Sequence, residues 1–137
     1  MLRLLCLTLI HLTAFADGLD AHSKKGVEET QQMLRTKSER DKAIKGDKQA
    51  EDMDAKVNAL VGSGKNKEEI YGLSADLMEK ISSETKGDPE KMQILLQEAQ
   101  ANPEKFFEKY FSAEQKAKVR GLAQDIEKNG SAHGGKP

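Results

Sequence analysis

Covalent or metal chemistry would have to be assembled here from few side chains. Cys6 is the only thiol, and the imidazoles are His11, His22 and His133, near one end of the chain or the other. A zinc centre needs such ligands to converge from fixed elements, and a serine hydrolase needs a histidine base within reach of its nucleophile. Neither arrangement can be placed on this sequence, so we expect no metal, no cofactor and no catalytic residue.

Carboxylates are abundant, and Asp76 with Glu79 is an example of a pair at helical spacing. Such a pair does acid and base work only inside a concave, partly apolar cleft that pushes one pKa upward. A cofactor-free hydrolase of an envelope polymer is therefore the alternative reading, weakened by the lack of any Trp to grip a sugar. The run Val61-Gly62-Ser63-Gly64-Lys65-Asn66 departs from a phosphate-binding loop, with Ala59 at the first glycine position and Asn66 where a magnesium-holding hydroxyl belongs. Asp52 and Asp54 lack the glycine and the closing glutamate of a calcium loop. Asn129-Gly130-Ser131 fits a glycosylation acceptor, but it reads more simply as an Asn-Gly helix stop.

Residues 1–16 have the form of a cleaved signal peptide. Arg3 precedes an apolar run from Leu4 to Leu12, and Ala14 and Ala16 are the small residues a peptidase requires before Asp17. The run holds roughly half of the about 20 apolar residues that a membrane span needs, so no integral span is expected. Cys6 lies too early in it for a lipid-accepting cysteine. The alternative for this segment is a short buried helix of the fold. Export would leave a cysteine-free chain, stabilised by packing or by a partner rather than by disulfides. Loss of Arg3 would make the formal charge one unit more negative than the −1 of the whole chain. With charges of both signs interspersed, no basic face is present for nucleic acid.

A third of the residues are charged and the mean hydropathy is −0.71, which limits the chain to one small domain. Residues 17–49 form a polar arm whose large apolar residues are Leu19, Val27, Met33, Leu34 and Ile44. It has little to bury and is expected to be either disordered or a solvated helix. A coiled-coil seam through Val27 and Leu34 breaks off at Asp41.

The helical domain is expected over 50–129. Ala50, Met53, Val57, Leu60 and Val61 recur at helical spacing behind Asp47, a suitable N-cap. Asn66 to Glu69 resembles a capping box opening a second helix, with Ile70, Leu73, Leu77, Met78 and Ile81 on its stripe. Asp88-Pro89 and Asn102-Pro103 each place a cap before a first-turn proline. Ser112 and Gln115 make a further capping box, ahead of Val119, Leu122, Ala123 and Ile126. Residues 130–137 are expected to be a disordered tail. No run alternates like a strand, so the fold class is all-α, a bundle of four to five short helices.

Phe106, Phe107, Tyr110 and Phe111 are the densest apolar feature, spanning about 140 degrees of a helix, which suits an element pressed between neighbours. Ile94 points about 160 degrees away from Leu96, off the Met92, Leu95, Leu96 stripe. These five residues are the candidate partner-binding set. The expected function is non-enzymatic contact with another protein, as an adaptor, chaperone-like factor or inhibitor in a periplasm or outside the cell. Whether the chain also associates with its own copies is left open.

Overall fold

The computed structural model describes Cys6, residues 24–62 and residues 64–133, of which 24 and 130–133 by backbone alone. The expected leader, apart from Cys6, and the end of the expected tail lie outside the described residues. Seven helices succeed one another: α1 Lys24–Arg35, α2 Lys37–Ile44, α3 Lys48–Val61, α4 Lys65–Thr85, α5 Pro89–Ala101, α6 Pro103–Tyr110 and α7 Ala113–His133. The fold is all-helical, and no strand occurs among the described residues. No helix among them is long and apolar enough to cross a membrane.

Helix starts obey local chemistry. Asp47 Oδ1 accepts from the backbone N–H groups of Gln49 and Ala50, at 3.0 and 3.1 Å. Asp88 does the same for Glu90 and Lys91, and Asn102 accepts from Lys105 N–H. At α7 the Ser112 hydroxyl accepts from Gln115 N–H while Gln115 Oε1 accepts from Ser112 N–H, a reciprocal box. Each such bond satisfies a donor that the first helical turn leaves unpaired. α3 ends at Gly62, whose φ of 73° is the left-handed conformation glycine adopts without penalty.

Two boundaries differ from the sequence expectation. α4 starts at Lys65, behind Gly64, without a side-chain cap. The anticipated box at Asn66 does not form: Asn66 lies inside the helix, and Glu69, the acid three residues on, pairs with Lys65. α7 runs past Asn129-Gly130 to His133, so the first residues of the expected tail are helical.

The larger difference is the arm. From residue 24 on it takes the helical of the two expected forms, as α1 and α2, but it docks on the domain along one face, and the helix number rises from the anticipated four to five to seven among the described residues. α1 lies along α4 in the most extensive helix pairing of the molecule. Val27 packs with Met78, and Leu34 joins the main core. Gly26 and Thr30 on α1 and Ser74 and Ala75 on α4 are buried as well. The hydroxyls carry no desolvation penalty, since Thr30 donates to Gly26 O and Ser74 to Ile70 O, each at 2.8 Å. Arg35 closes the far end of this pairing with an ion pair to Asp76 at 2.7 Å.

α4 is the central element, buried along Ile70, Tyr71, Leu73, Leu77 and Ile81. Its core continues through Val57 and Val61 of α3, Met92 and Ala99 of α5, Phe106 and Phe107 of α6, and Val119, Leu122 and Ile126 of α7. Cys6 also belongs to this core, 3% exposed. Burial, and then the nearby charges of Glu104 and Glu108, push its thiol up to about 12, which suppresses the reactive thiolate. In the full chain Cys6 is a packing residue. α2 differs from its neighbours in that its one buried side chain is a charged one, Arg40.

Helix capping at Asp88 is local and distant from that charged residue, which makes it a clean test of the local account. Asp88→Ala should cost about 1 kcal/mol of stability, read as a lower urea midpoint at unchanged slope.

Candidate functional site

The aromatic segment faces the interior. Phe106, Phe107 and Phe111 are 2%, 1% and 8% exposed. The rings pair at i, i+4 spacing, Phe106 with Tyr110 at 4.5 Å between centroids and Phe107 with Phe111 at 5.0 Å. These three phenylalanines therefore lie in the core and present no surface. Tyr110 is half-buried at the rim, with Lys109 Nζ 4.8 Å from its ring centroid and 3.7 Å from Glu98 on α5. Ile94, by contrast, is 62% exposed and is the one large apolar residue so open among the described residues. Leu95 and Leu96 beside it are half-buried, while Met92 and Ala99 hold α5 to the core.

The carboxylates singled out for acid and base work are engaged with cations. Asp76 and Glu79 both face the Arg35 guanidinium, at 2.7 and 3.6 Å, and Gln115 Nε2 donates to the other oxygen of Asp76. Asp54 accepts from Lys67 Nζ at 2.9 Å and from the Tyr71 hydroxyl at 2.6 Å. No group of three or more His, Cys, Asp or Glu suited to a metal ion occurs among the described residues.

The polar centre of the molecule is one that sequence reasoning missed. Arg40 is 2% exposed, and its partners come from α1 and α4. Nη1 donates to Leu34 O at 2.8 Å, Nη2 donates to Glu68 Oε1 at 2.5 Å, and the guanidinium carbon sits 4.1 Å from the centroid of the Tyr71 ring. Leu34 O is among the carbonyls left over at the end of α1, so Arg40 caps that helix from outside and puts a positive charge at its negative end. Glu68 lies in the first turn of α4, where a negative charge is favoured by the same dipole rule.

Tyr71 carries the network onward to Asp54 on α3, and α1, α2, α3 and α4 meet at one cluster. Burial, reinforced by the bond to Asp54 and then by its charge, holds the Tyr71 hydroxyl far above its ordinary value. Thr36 explains why Arg40 faces inward rather than Asp41. Its extended backbone, φ −103° and ψ 107°, interrupts the helix and shifts the phase of α2 relative to α1. A sequence signal existed in the seam that failed at Asp41, but only the break at Thr36 shows which neighbour replaces it.

One donor of this cluster is unsatisfied. Arg40 Nε is buried without a hydrogen-bond partner, alone in that respect among the described side chains. Arg40 also lines a partly open cavity of about 20 Å³, together with Tyr71, Met33, Ala43, Ile44 and Met53. Its walls are apolar except for the guanidinium and the phenol.

Comparison with protein-family models, curated proteins and solved structures gives no match for this chain.

The cluster makes three predictions. Arg40→Ala removes a buried charge with its packing stem and strands Leu34 O, and should cost about 3 kcal/mol. Glu68→Gln keeps an acceptor and should cost about 1 kcal/mol, because Glu68 is 41% exposed and partly screened; paired urea titrations check both. The fold favours the neutral Tyr71 phenol, so its contribution to stability is complete below the ordinary value of about 10 and is lost as pH rises above it. Tyr71→Phe should flatten the fall in stability between about pH 9 and 11 relative to the parent chain, measured by denaturation at each pH.

Proposed function

We propose that this protein is exported by a cleaved leader, residues 1–16, and works without catalysis by contacting another protein through the Ile94 face of α5. The observation that carries the reading is the exposure of Ile94 in a molecule whose other described large apolar side chains are buried at least in part. A single exposed aliphatic residue is ordinary on a protein surface. Here Leu96 lies about 160 degrees round the helix, so a partner would seat Ile94 as a single aliphatic anchor, with the exposed polar groups of Gln93 and Gln97 at its rim. The anchor would be aliphatic and the contact modest in area, suited to an adaptor or an inhibitor rather than to a permanent complex. The phenylalanines of α6 support the surface from beneath by fixing the core against which α5 lies.

A photo-crosslinking residue placed at position 94 tests the reading in cells that export the protein. The expected result is one dominant adduct, absent when the crosslinker is moved to position 104, together with a mature N-terminus at Asp17. Ile94→Asp should change stability by less than about 0.5 kcal/mol, since the site is exposed, while abolishing association with the crosslinked partner. Adducts of equal yield from both positions would overturn the contact surface, and a retained Met1 would overturn the processing.

A further inference from the structure

We propose that α1 and α2 form a hinged strap, residues 24–44, which leaves the domain as one unit by pivoting at residues 45–47. Its departure uncovers Tyr71 and Met78 on α4 while α3 to α7 keep their core. This does not depend on Ile94 meeting a partner. The first observation is how few apolar side chains hold the arm. α1 buries Val27 and Leu34, and the one side chain that α2 buries is Arg40. Val27 meets Met78 in a cluster separate from the main core, to which the arm gives Leu34, with half-buried Met33 against it. Apart from Leu34 and Cys6, every buried member of that core lies from Val57 to Ile126. The apolar contacts among α3 to α7 therefore survive when the arm departs.

The second observation is the kind of anchor. Arg40 reaches Glu68 and the Tyr71 ring, and Arg35 reaches Asp76 at 2.7 Å and Glu79 at 3.6 Å. Arg40 apart, these charged groups are partly exposed. On opening, each ion pair is exchanged for water, and the Arg40 guanidinium recovers the hydration that burial removed. An apolar interface has no such compensation. The anchors fix where the arm docks and let it go with little net loss.

The third observation is where the chain is tied and where it is free. Arg40 Nη1 donates to Leu34 O at 2.8 Å and Gln32 Nε2 to Glu39 Oε1 at 3.3 Å, so α1 and α2 are joined to each other inside the arm. Beyond α2, Gly46 at φ 87° stands between extended Lys45 and Asp47. Asp47 caps α3 through Gln49 and Ala50, so that helix starts without help from the arm. Helices of 12 and 8 residues are marginal in water on their own, so the released strap also loses its backbone hydrogen bonds.

Native-state hydrogen exchange of the full chain, where exchange reports the opening equilibrium, tests the strap. The amides of Leu34 and Arg40 should open at least about tenfold more often than those of Leu77 and Leu122, and within about threefold of each other. Their exchange should rise less steeply with urea than that of Leu122, because less surface is exposed. Two variants separate the strap from global unfolding. Asp88→Ala weakens α5, which stays folded when the strap opens, so it should speed exchange at Leu122 about fivefold and leave Leu34 and Arg40 unchanged. A Cβ at position 46 meets nothing within 4 Å, but φ 87° strains any residue other than glycine, and opening relieves that strain. Gly46→Ala should therefore speed exchange at Leu34 and Arg40 at least about threefold. Equal opening at Leu34 and Leu122 would overturn the strap, as would a wider gap between Leu34 and Arg40. So would an equal effect of Asp88→Ala on all these amides, or no effect of Gly46→Ala on the arm.

Discussion

A buried guanidinium governs how the first half of this molecule is arranged. Removing an arginine from water is costly unless its donors are met, and the acceptors for Arg40 are on other helices: a terminal carbonyl of α1, a first-turn carboxylate of α4, and the face of Tyr71. Tyr71 is in turn held by Asp54 on α3. The four helices can satisfy the charge only in their observed relation. A hydrophobic contact tolerates sliding, but three directed partners do not, so the cluster sets the orientation of these helices.

The two halves of the fold differ in how their interiors are built. From α5 onward the core is apolar, made of Met92, Ala99, Phe106, Phe107, Phe111, Val119, Leu122 and Ile126. The polar groups there serve mainly as helix caps and surface ion pairs, such as Glu108 with Lys116 and Arg120. In the first half, a charged side chain occupies the place of a core residue. An apolar residue at position 40 would pack as well and cost less to bury, but it would leave the end of α1 uncapped and the first turn of α4 without its partner.

What could be read from the sequence divides along the same line. Starts of α3, α5, α6 and α7 were legible because Asp47, Asp88, Asn102 and Ser112 act within three residues of themselves. The width of the Phe106 to Phe111 stripe indicated an element with neighbours on both sides, and three of those rings are buried accordingly. The docking of the arm, unlike its helical form, was illegible for the opposite reason. It depends on Val27 meeting Met78 and on a charge whose desolvation is offset by residues 28 and 31 positions away in the chain. Composition counts Arg40 as polar, and no short window along the sequence contains both ends of such an interaction. Glu68 shows the limit at one position: local rules account for an acid in the first turn of α4, and only the tertiary bond shows that it meets Arg40.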